Sequence, residues 1–483
     1  MTEEKEGPFR SKVLKSLLWL GSGRFAGQLI SWASTIIIIR LLSPSDYGLM
    51  AMAMVFIGFL TMISDFGISA ALIQASEITK YEIQQIFGVV ILASTAGMVI
   101  TFLLTPAIAS FFHEDKLIPL IRLLNVNFIL ITMYVIPHSL FIREMNFQTK
   151  AKVDIVAQTG SSLLMLGLAF KGMGVWSLAG GAVAIHAIKM IGYNLTRPDY
   201  FFPVFRFSGA KKLIKYGLTI FADNLLYYLY METDKVIIGR VLGNQLLGVY
   251  AVASNLASML TEKVLPIVTQ VSFTAYSRIQ HDLERINSNL LKTTHLIAFL
   301  WFPVFYGMVG VAPEAIPLIL GAKWEVIVLP FQLLCLIVPF KTISVLLPPA
   351  VQAIGQPKVN MINMGITFVV MAIAILIGVR WGIIGVCLVW VIAYPLVLLV
   401  TTLRSLKALN LSLSKYLSEI KFPVIASALM IGAILIFKKV NLVNLQPLNS
   451  MVVIVISSAV IYAGYVMTFK RSEYHKLKSF LQK

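Results

Sequence analysis

The sequence predicts an all-α integral membrane protein of about fourteen transmembrane helices, and three observations carry that prediction. Of its 483 residues, 58% are hydrophobic and only 13% charged, against roughly 25% charged in a soluble domain. Mean hydropathy is +0.84. Apolar stretches of the length needed to cross a hydrocarbon core, about 20 residues each, follow one another almost from end to end. Lipid is therefore the solvent that the outward faces of these helices require.

The first span is expected near 13–40, behind a polar segment from Met1 to Lys12. No small-residue cleavage site follows it, so it is expected to stay as a helix rather than leave as a signal peptide. Spans near 47–73, 83–111 and 117–142 come next, then 152–170 and 173–194, parted only by Lys171 and Gly172. The second half continues with 212–238, 246–274, 289–320, 326–351, 359–379 and 382–403, and two more spans close the chain at 418–437 and 449–469. The longest connections, 195–211 and 275–288, leave no room for a soluble domain between spans. Cys335 and Cys387 lie inside apolar spans and read as free buried thiols, not as a disulfide framework.

The formal charge of +18 is explained by where the cations fall. With a cytoplasmic N-terminus and fourteen spans, 26 of the 40 Lys and Arg lie in cytoplasmic segments and 10 on the other side. Arg24, Lys189, Lys263 and Lys341 lie within spans. This asymmetry satisfies the positive-inside rule and puts both termini in the cytoplasm. The basic balance then signals topology and attraction to anionic membrane lipids, with no nucleic-acid partner.

Shifting the sequence by 200 residues lays 15–61 on 215–261 without a gap, pairing Lys15/Lys215, Arg40/Arg240, Leu42/Leu242, Gly48/Gly248 and Thr61/Thr261 among others. Six spans separate the two copies, so both enter the membrane in the same direction. Parallel repeats of this kind imply a pseudo-two-fold axis along the membrane normal, with the substrate between two lobes. The expected organisation is an N-terminal six-helix lobe over 1–200 and a C-terminal six-helix lobe over 201–405. Residues 406–483 then hold two additional transmembrane helices and a cytoplasmic tail.

A charge at mid-bilayer costs about 2.5–3.5 kcal/mol on insertion scales, so it faces a cavity or a partner. Arg24 shares a helical stripe with Gly21, Gln28, Ser31 and Thr35, which marks either a wet cavity wall or an Arg paired to an acid on another helix. Asp223, Tyr227, Tyr230 and Asp234 form a second stripe. Asp223 is the deeper ion or proton candidate, while Asp234 is either part of that path or paired with its neighbour Lys235. His186, Lys189 and Tyr193 make a third polar face, in which Lys189 either binds an anionic headgroup or snorkels. Lys341, between Phe340 and Thr342, is too central to snorkel easily. Asp65 and Asp154, near cytoplasmic helix ends, serve either as caps and ion-pair partners or in ion coupling. No metal-ligand spacing, phosphate loop, catalytic triad or cofactor motif is present, so no enzymatic activity is expected. With no nucleotide-binding motif, energy is expected from an ion gradient (proton or sodium), the membrane potential or the substrate's own gradient.

Five stretches resemble a known family in the same order. Arg40-Leu-Leu-Ser-Pro-Ser-Asp-Tyr-Gly48 follows the first span, Ser64-Asp-Phe-Gly-Ile-Ser-Ala-Ala-Leu-Ile-Gln74 closes the second, and Asp234-Lys-Val-Ile-Ile-Gly-Arg-Val-Leu-Gly243 marks the corresponding turn of the second half. Ser277-Arg-Ile-Gln-His-Asp-Leu-Glu-Arg285 and Gly321-Ala-Lys-Trp324, the latter followed by Gln332-Leu-Leu-Cys335, complete the set. Together they resemble the polysaccharide transporter family of the multidrug/oligosaccharidyl-lipid/polysaccharide exporter superfamily, in its colanic- and teichuronic-acid exporter (Wzx-like flippase) branch. The resemblance implies two lobes in a V that opens alternately inward and outward in a bacterial or archaeal cytoplasmic membrane. It implies a polyprenyl-pyrophosphate-linked oligosaccharide as substrate, cationic residues that hold the pyrophosphate, with Arg24 the best match, and polysaccharide assembly proteins as partners. A drug exporter of the same fold would want an acid-dominated cavity, whereas Arg24 and Lys341 are basic. A membrane-embedded saccharide polymerase would want a long extracytoplasmic loop, which the chain lacks.

Overall fold

The computed structural model describes residues 32–65, 72, 78–144, 146–197, 202–206, 211–440 and 446–469, and among these the regular structure is entirely helical. The helices of the first part are α1 (Trp32–Leu41), α2 (Pro44–Asp65), α3 (Lys80–Phe112), α4 (Leu117–Leu124), α5 (Val126–Arg143), α6 (Phe147–Phe170) and α7 (Val175–Thr196). They are followed by α8 (Lys211–Ser258), α9 (Thr261–Arg278), α10 (Leu283–Leu320), α11 (Val328–Ser344) and α12 (Leu347–Ala353). The last four are α13 (Pro357–Gly378), α14 (Gly382–Ala408), α15 (Leu413–Val440) and α16 (Pro447–Phe469). Among the described residues, ten helical stretches are long and apolar enough to cross a membrane, or eleven if the α1–α2 pair, bent by 118°, is one crossing. One of these stretches, Pro357–Ala408, spans 52 residues and holds two expected crossings, α13 and α14, back to back.

Local chemistry explains where helices start and stop. Pro44 opens α2, and the Asp46 carboxylate accepts from the Ser43 backbone N–H at 2.9 Å and the Ser43 hydroxyl at 2.6 Å. The other oxygen of Asp46 accepts from the Val175 N–H at 2.9 Å. One acid therefore closes the N-terminal turns of both α2 and α7. Thr79 and Glu82 form a capping box on α3, and Asn146 caps α6 by accepting from the Thr149 N–H at 3.2 Å. Inside the spans, several hydroxyls donate to their own helix, as when Thr101 donates to the Gly97 carbonyl at 2.6 Å and Ser139 to Val135 at 2.8 Å. In hydrocarbon there is no water to take their place.

Two expected spans are built differently. The stretch 246–274 is divided between the end of α8 and α9, at a turn where Thr261 Oγ1 donates to the Ser258 carbonyl at 2.7 Å and Ser258 Oγ bonds Glu262 at 2.7 Å. Side-chain hydroxyls there replace the helical backbone bonds. The 48-residue α8 is itself broken at Gly243, whose φ of 78° suits glycine alone. The stretch 326–351 is likewise two helices, α11 and α12, entered through a short 3-10 turn at Ala322–Ile327.

The chain forms two compact units, Met1–Gly248 and Val249–Lys483. The division falls inside α8, later than the repeat boundary near residue 200. In the first unit α2 packs on α3, α4, α5 and α7, and α7 packs on α5 and α6. A Cβ on Gly48 would overlap the Asn244 carbonyl oxygen, and a Cβ on Gly248 would overlap that of Pro44. Pro44 and Asn244, like Gly48 and Gly248, are repeat mates at the 200-residue offset. Within this unit the two segments therefore meet reciprocally, as segments related by a local two-fold axis must. In the second unit α10 is the hub for α11, α15 and α16. The last two helices are tied to it by Lys438, which bonds Glu314 at 2.7 Å and the Gly310 carbonyl at 2.6 Å, and by Tyr462, which donates to the Phe299 carbonyl at 2.9 Å.

Candidate functional site

A polar cluster in the first unit is assembled by α5, α6 and α7. The turn from α6 to α7 runs through Gly172 and Gly174, with φ of 73° and 54°, so the two helices fold back against each other within four residues. Small residues keep them close, and Ser161 donates to the Gly181 carbonyl at 2.8 Å. This register sets Asp154 of α6 against Lys189 and Tyr193 of α7. Asp154 Oδ2 lies 2.6 Å from Lys150 Nζ, one turn earlier on its own helix. Its Oδ1 lies 3.4 Å from Lys189 Nζ and accepts from the Tyr193 hydroxyl at 3.1 Å. α5 adds Tyr134, whose hydroxyl is 3.0 Å from His186 Nδ1. The Tyr134 ring is stacked on His186 and on Tyr193, with centroids at 6.2 and 5.7 Å. His138 meets Tyr193 edge-on at 5.3 Å.

Two ammonium groups share one carboxylate here. The side chains of Lys150, Asp154 and Lys189 retain 27%, 29% and 24% of their exposure. The cluster is thus open on one side and carries more positive than negative charge. Such an arrangement suits an oxyanion, because ammonium donors to phosphate or carboxylate oxygens make the strong charge-assisted class of hydrogen bond. Of the rings around it, those of the half-buried His138 and His186 leave surface for the carbon skeleton of a ligand, while Tyr134 and Tyr193 are buried behind them.

A second cluster lies in the second unit, between α11 and α14. Lys341 Nζ sits 3.3 Å over the centroid of Trp390 and 5.5 Å from that of Tyr394. Trp390 is held by its Nε1–H, which donates to the Tyr250 hydroxyl at 2.9 Å. Ring faces stabilise a desolvated cation by about 2 kcal/mol. This explains how an ammonium is tolerated in the last turn of α11, within the apolar stretch Ala322–Ala353.

The polysaccharide biosynthesis protein family matches residues 37–329, more than half of the chain. The chain belongs to that family. It is 28% identical over 335 residues to an uncharacterized membrane protein in the cps region of Klebsiella pneumoniae, covering 67% of this chain and 68% of that protein. It is 26% identical over 381 residues to the lipopolysaccharide biosynthesis protein WzxC of Escherichia coli (strain K12), covering 76% and 75%. Among solved structures, the inward closed conformation of the lipid II flippase MurJ superposes with a TM-score of 0.74 over 95% of this chain and 100% of that one, at 13% identity. An inward-facing multidrug resistance MATE transporter of the MOP superfamily gives 0.62 over 79% and 94%, at 16% identity. At these identities the likeness is one of fold. It agrees with the exporter superfamily that the sequence motifs resemble.

For this polysaccharide biosynthesis protein the expected site residues fall into three groups. Lys189 and Asp154 are brought together, and Lys341 is placed on an aromatic seat. Asp234 is buried and accepts from the Lys235 N–H at 2.7 Å. The ammonium of Lys235 turns instead to Glu232, one turn back, bonding both carboxylate oxygens at 2.9 Å. The Asp234–Lys235 side-chain pair is thereby corrected, because adjacent residues point to different sides of a helix and i, i+3 neighbours share one. Arg24 and Gln28 lie outside the described residues, as do the side chains of Asp65 and Asp223. Sequence reasoning missed Tyr134, His138, Lys150, Tyr250 and Trp390 as members of the clusters. A signal existed for Lys150: it stands four residues before Asp154. Its helix was expected to begin only at residue 152, whereas the Asn146 cap starts it at Phe147.

Proposed function

We propose that this multi-pass membrane protein is a flippase for polyprenyl-pyrophosphate-linked oligosaccharide repeat units, working by alternating access in the cytoplasmic membrane. The observation that carries the reading is the cluster of Lys150 and Lys189 around the single acid Asp154, lined by Tyr134, His138, His186 and Tyr193, in a member of the polysaccharide biosynthesis family. Unaided, a pyrophosphate and its sugars would have to shed their water in hydrocarbon, at a cost of several kcal/mol for each polar group. Ammonium donors replace water at the phosphate oxygens and the half-buried His138 and His186 rings pack against sugar, while the polyprenyl tail stays in lipid. Relatives named for lipopolysaccharide and teichuronic acid biosynthesis support the saccharide class. The named lipid II flippase of like fold supports a lipid-linked form.

Six-helix lobes over 1–200 and 201–405 rock about the substrate, and the helices of 406–483 are an addition. Both termini are cytoplasmic. Arg24, Gln28 and Lys341 join Lys189 in holding the headgroup, while Asp223, with Asp65, Asp154 and Asp234 as further candidates, couples the cycle to protons or sodium. Polysaccharide assembly proteins receive the product, and no covalent chemistry takes place.

The test is translocation of a fluorescent polyprenyl-pyrophosphate oligosaccharide in proteoliposomes, with and without an ion gradient, for wild type beside Lys189→Gln. Transport by wild type and its loss in correctly inserted Lys189→Gln is the expected result. A well-folded wild type that moves no such lipid, but does export a cationic dye, would overturn the proposal in favour of drug export.

A further inference from the structure

We propose that Asp154 is a tethered stand-in for the anion of the substrate: its carboxylate occupies the place between Lys150 and Lys189 that a diphosphate takes on binding, and its return expels the diphosphate. The inference rests on the reading of this cluster as the headgroup site and deepens it. Every group that holds Asp154 is a donor that a phosphate oxygen would also use. Lys150 Nζ reaches one carboxylate oxygen at 2.6 Å, and Tyr193 Oη and Lys189 Nζ reach the other at 3.1 and 3.4 Å.

The Tyr193 donor does not depend on Asp154 for its place, and the two lysines are carried by α6 and α7. Tyr193 is fully buried and stacked on Tyr134, and its hydroxyl projects from α7 together with Lys189, one turn before it. Lys150 is carried by the first turn of α6. When the Asp154 side chain swings out, Tyr193 stays where it is and both ammonium groups are left to take another anion. The side chain has somewhere to go, since 29% of it is already exposed.

Charge decides the direction of exchange. A carboxylate brings one negative charge to two ammonium groups and leaves one uncompensated. A diphosphate brings at least two and satisfies both, so it displaces the carboxylate. The carboxylate remains on its tether at a high effective concentration, as an intramolecular competitor does. It therefore weakens net affinity and speeds release. A carrier needs both, because a site that only grips its cargo does not turn over.

Asp154→Asn separates this role from a merely structural one, since the amide keeps the shape and can still accept from Tyr193 but no longer competes as an anion. With full-length protein in zwitterionic-lipid nanodiscs, titrated calorimetrically with inorganic pyrophosphate, Asp154→Asn is expected to bind about tenfold more tightly than wild type. The same preparation in proteoliposomes should translocate lipid-linked saccharide more slowly, and Asp154→Asn combined with Lys189→Gln should lose the gain in binding. Equal or weaker pyrophosphate binding by Asp154→Asn, with a thermal midpoint matching wild type, would overturn the stand-in role. So would a lowered midpoint, if the Asp154→Ser variant with restored stability also binds no more tightly than wild type. If wild type translocates but the variant does not tighten, only the stand-in role falls. If wild type translocates nothing and no variant binds pyrophosphate, the flippase reading falls with it.

Discussion

The two units solve the same problem, a lysine inside a membrane helix, in different ways. In each unit a proline-containing helix (α5 with Pro137, α11 with Pro339) packs on a helix that starts from a glycine in the left-handed region. Gly174, with φ of 54°, precedes α7, and Gly382, with φ of 71°, opens α14. In the first unit the ammonium of Lys189 is paired with a carboxylate; in the second the ammonium of Lys341 rests on the indole of Trp390. A carboxylate cancels charge, and its removal leaves a cation looking for another anion. A ring face steadies a cation without supplying a formal negative charge. The first arrangement offers an anion that another anion can replace, and the second seats its cation on ring faces.

The largest effect expected from this contrast comes from Lys150→Gln together with Lys189→Gln. Asp154 is then left with no cation in a half-buried site, a change that costs up to about 3 kcal/mol of stability once its partial exposure is considered. Translocation should fall by at least about a hundredfold, a loss of roughly 2.8 kcal/mol of transition-state stabilisation at 1.4 kcal/mol per tenfold. Initial rates and thermal midpoints on the same preparation measure both. Next in size is Trp390→Leu, which removes the ring beneath Lys341 and the Nε1–H that donates to the Tyr250 hydroxyl. Transport should drop about tenfold, in line with a cation–π contact of about 1–2 kcal/mol, while Trp390→Phe recovers part of it. Equal rates for the Leu and Phe variants would show that packing, not the cation seat, matters there. The smallest effect belongs to Tyr193→Phe, which takes one neutral donor from Asp154, worth about 1 kcal/mol. A change of no more than about fivefold in rate is expected, and a larger loss would mean that the hydroxyl contacts the cargo itself.

Much of the fold was legible because hydrocarbon imposes simple rules. Apolar runs, the Lys and Arg asymmetry and the 200-residue repeat are all properties of local composition or spacing. The Ser43–Asp46 cap could be read in the same way. Other features were not readable. The sequence gives no sign that Asp46 reaches the Val175 N–H, because that bond joins residues 129 apart. Nor does apolar character reveal where a span is broken, as 246–274 is at the hydroxyl-mediated turn around Ser258–Thr261 and 326–351 is at residues 345–346. The partner of Lys235 turned on helix geometry that adjacency in sequence disguises.

By itself, the sequence determined that this chain lives in a membrane, in which order its helices run, which family motifs it carries and which helices bear charge. Those facts follow from the free energy of placing each segment in lipid or water, a sum over neighbouring residues. The tertiary structure alone decided which charges meet. Asp154 finds the Tyr193 hydroxyl 39 residues away, and Trp390 finds Tyr250 across 140, because helix packing in lipid is set by small-residue contacts and side-chain shape. A sequence lists those contributions one helix at a time, and only the packed helices bring them together.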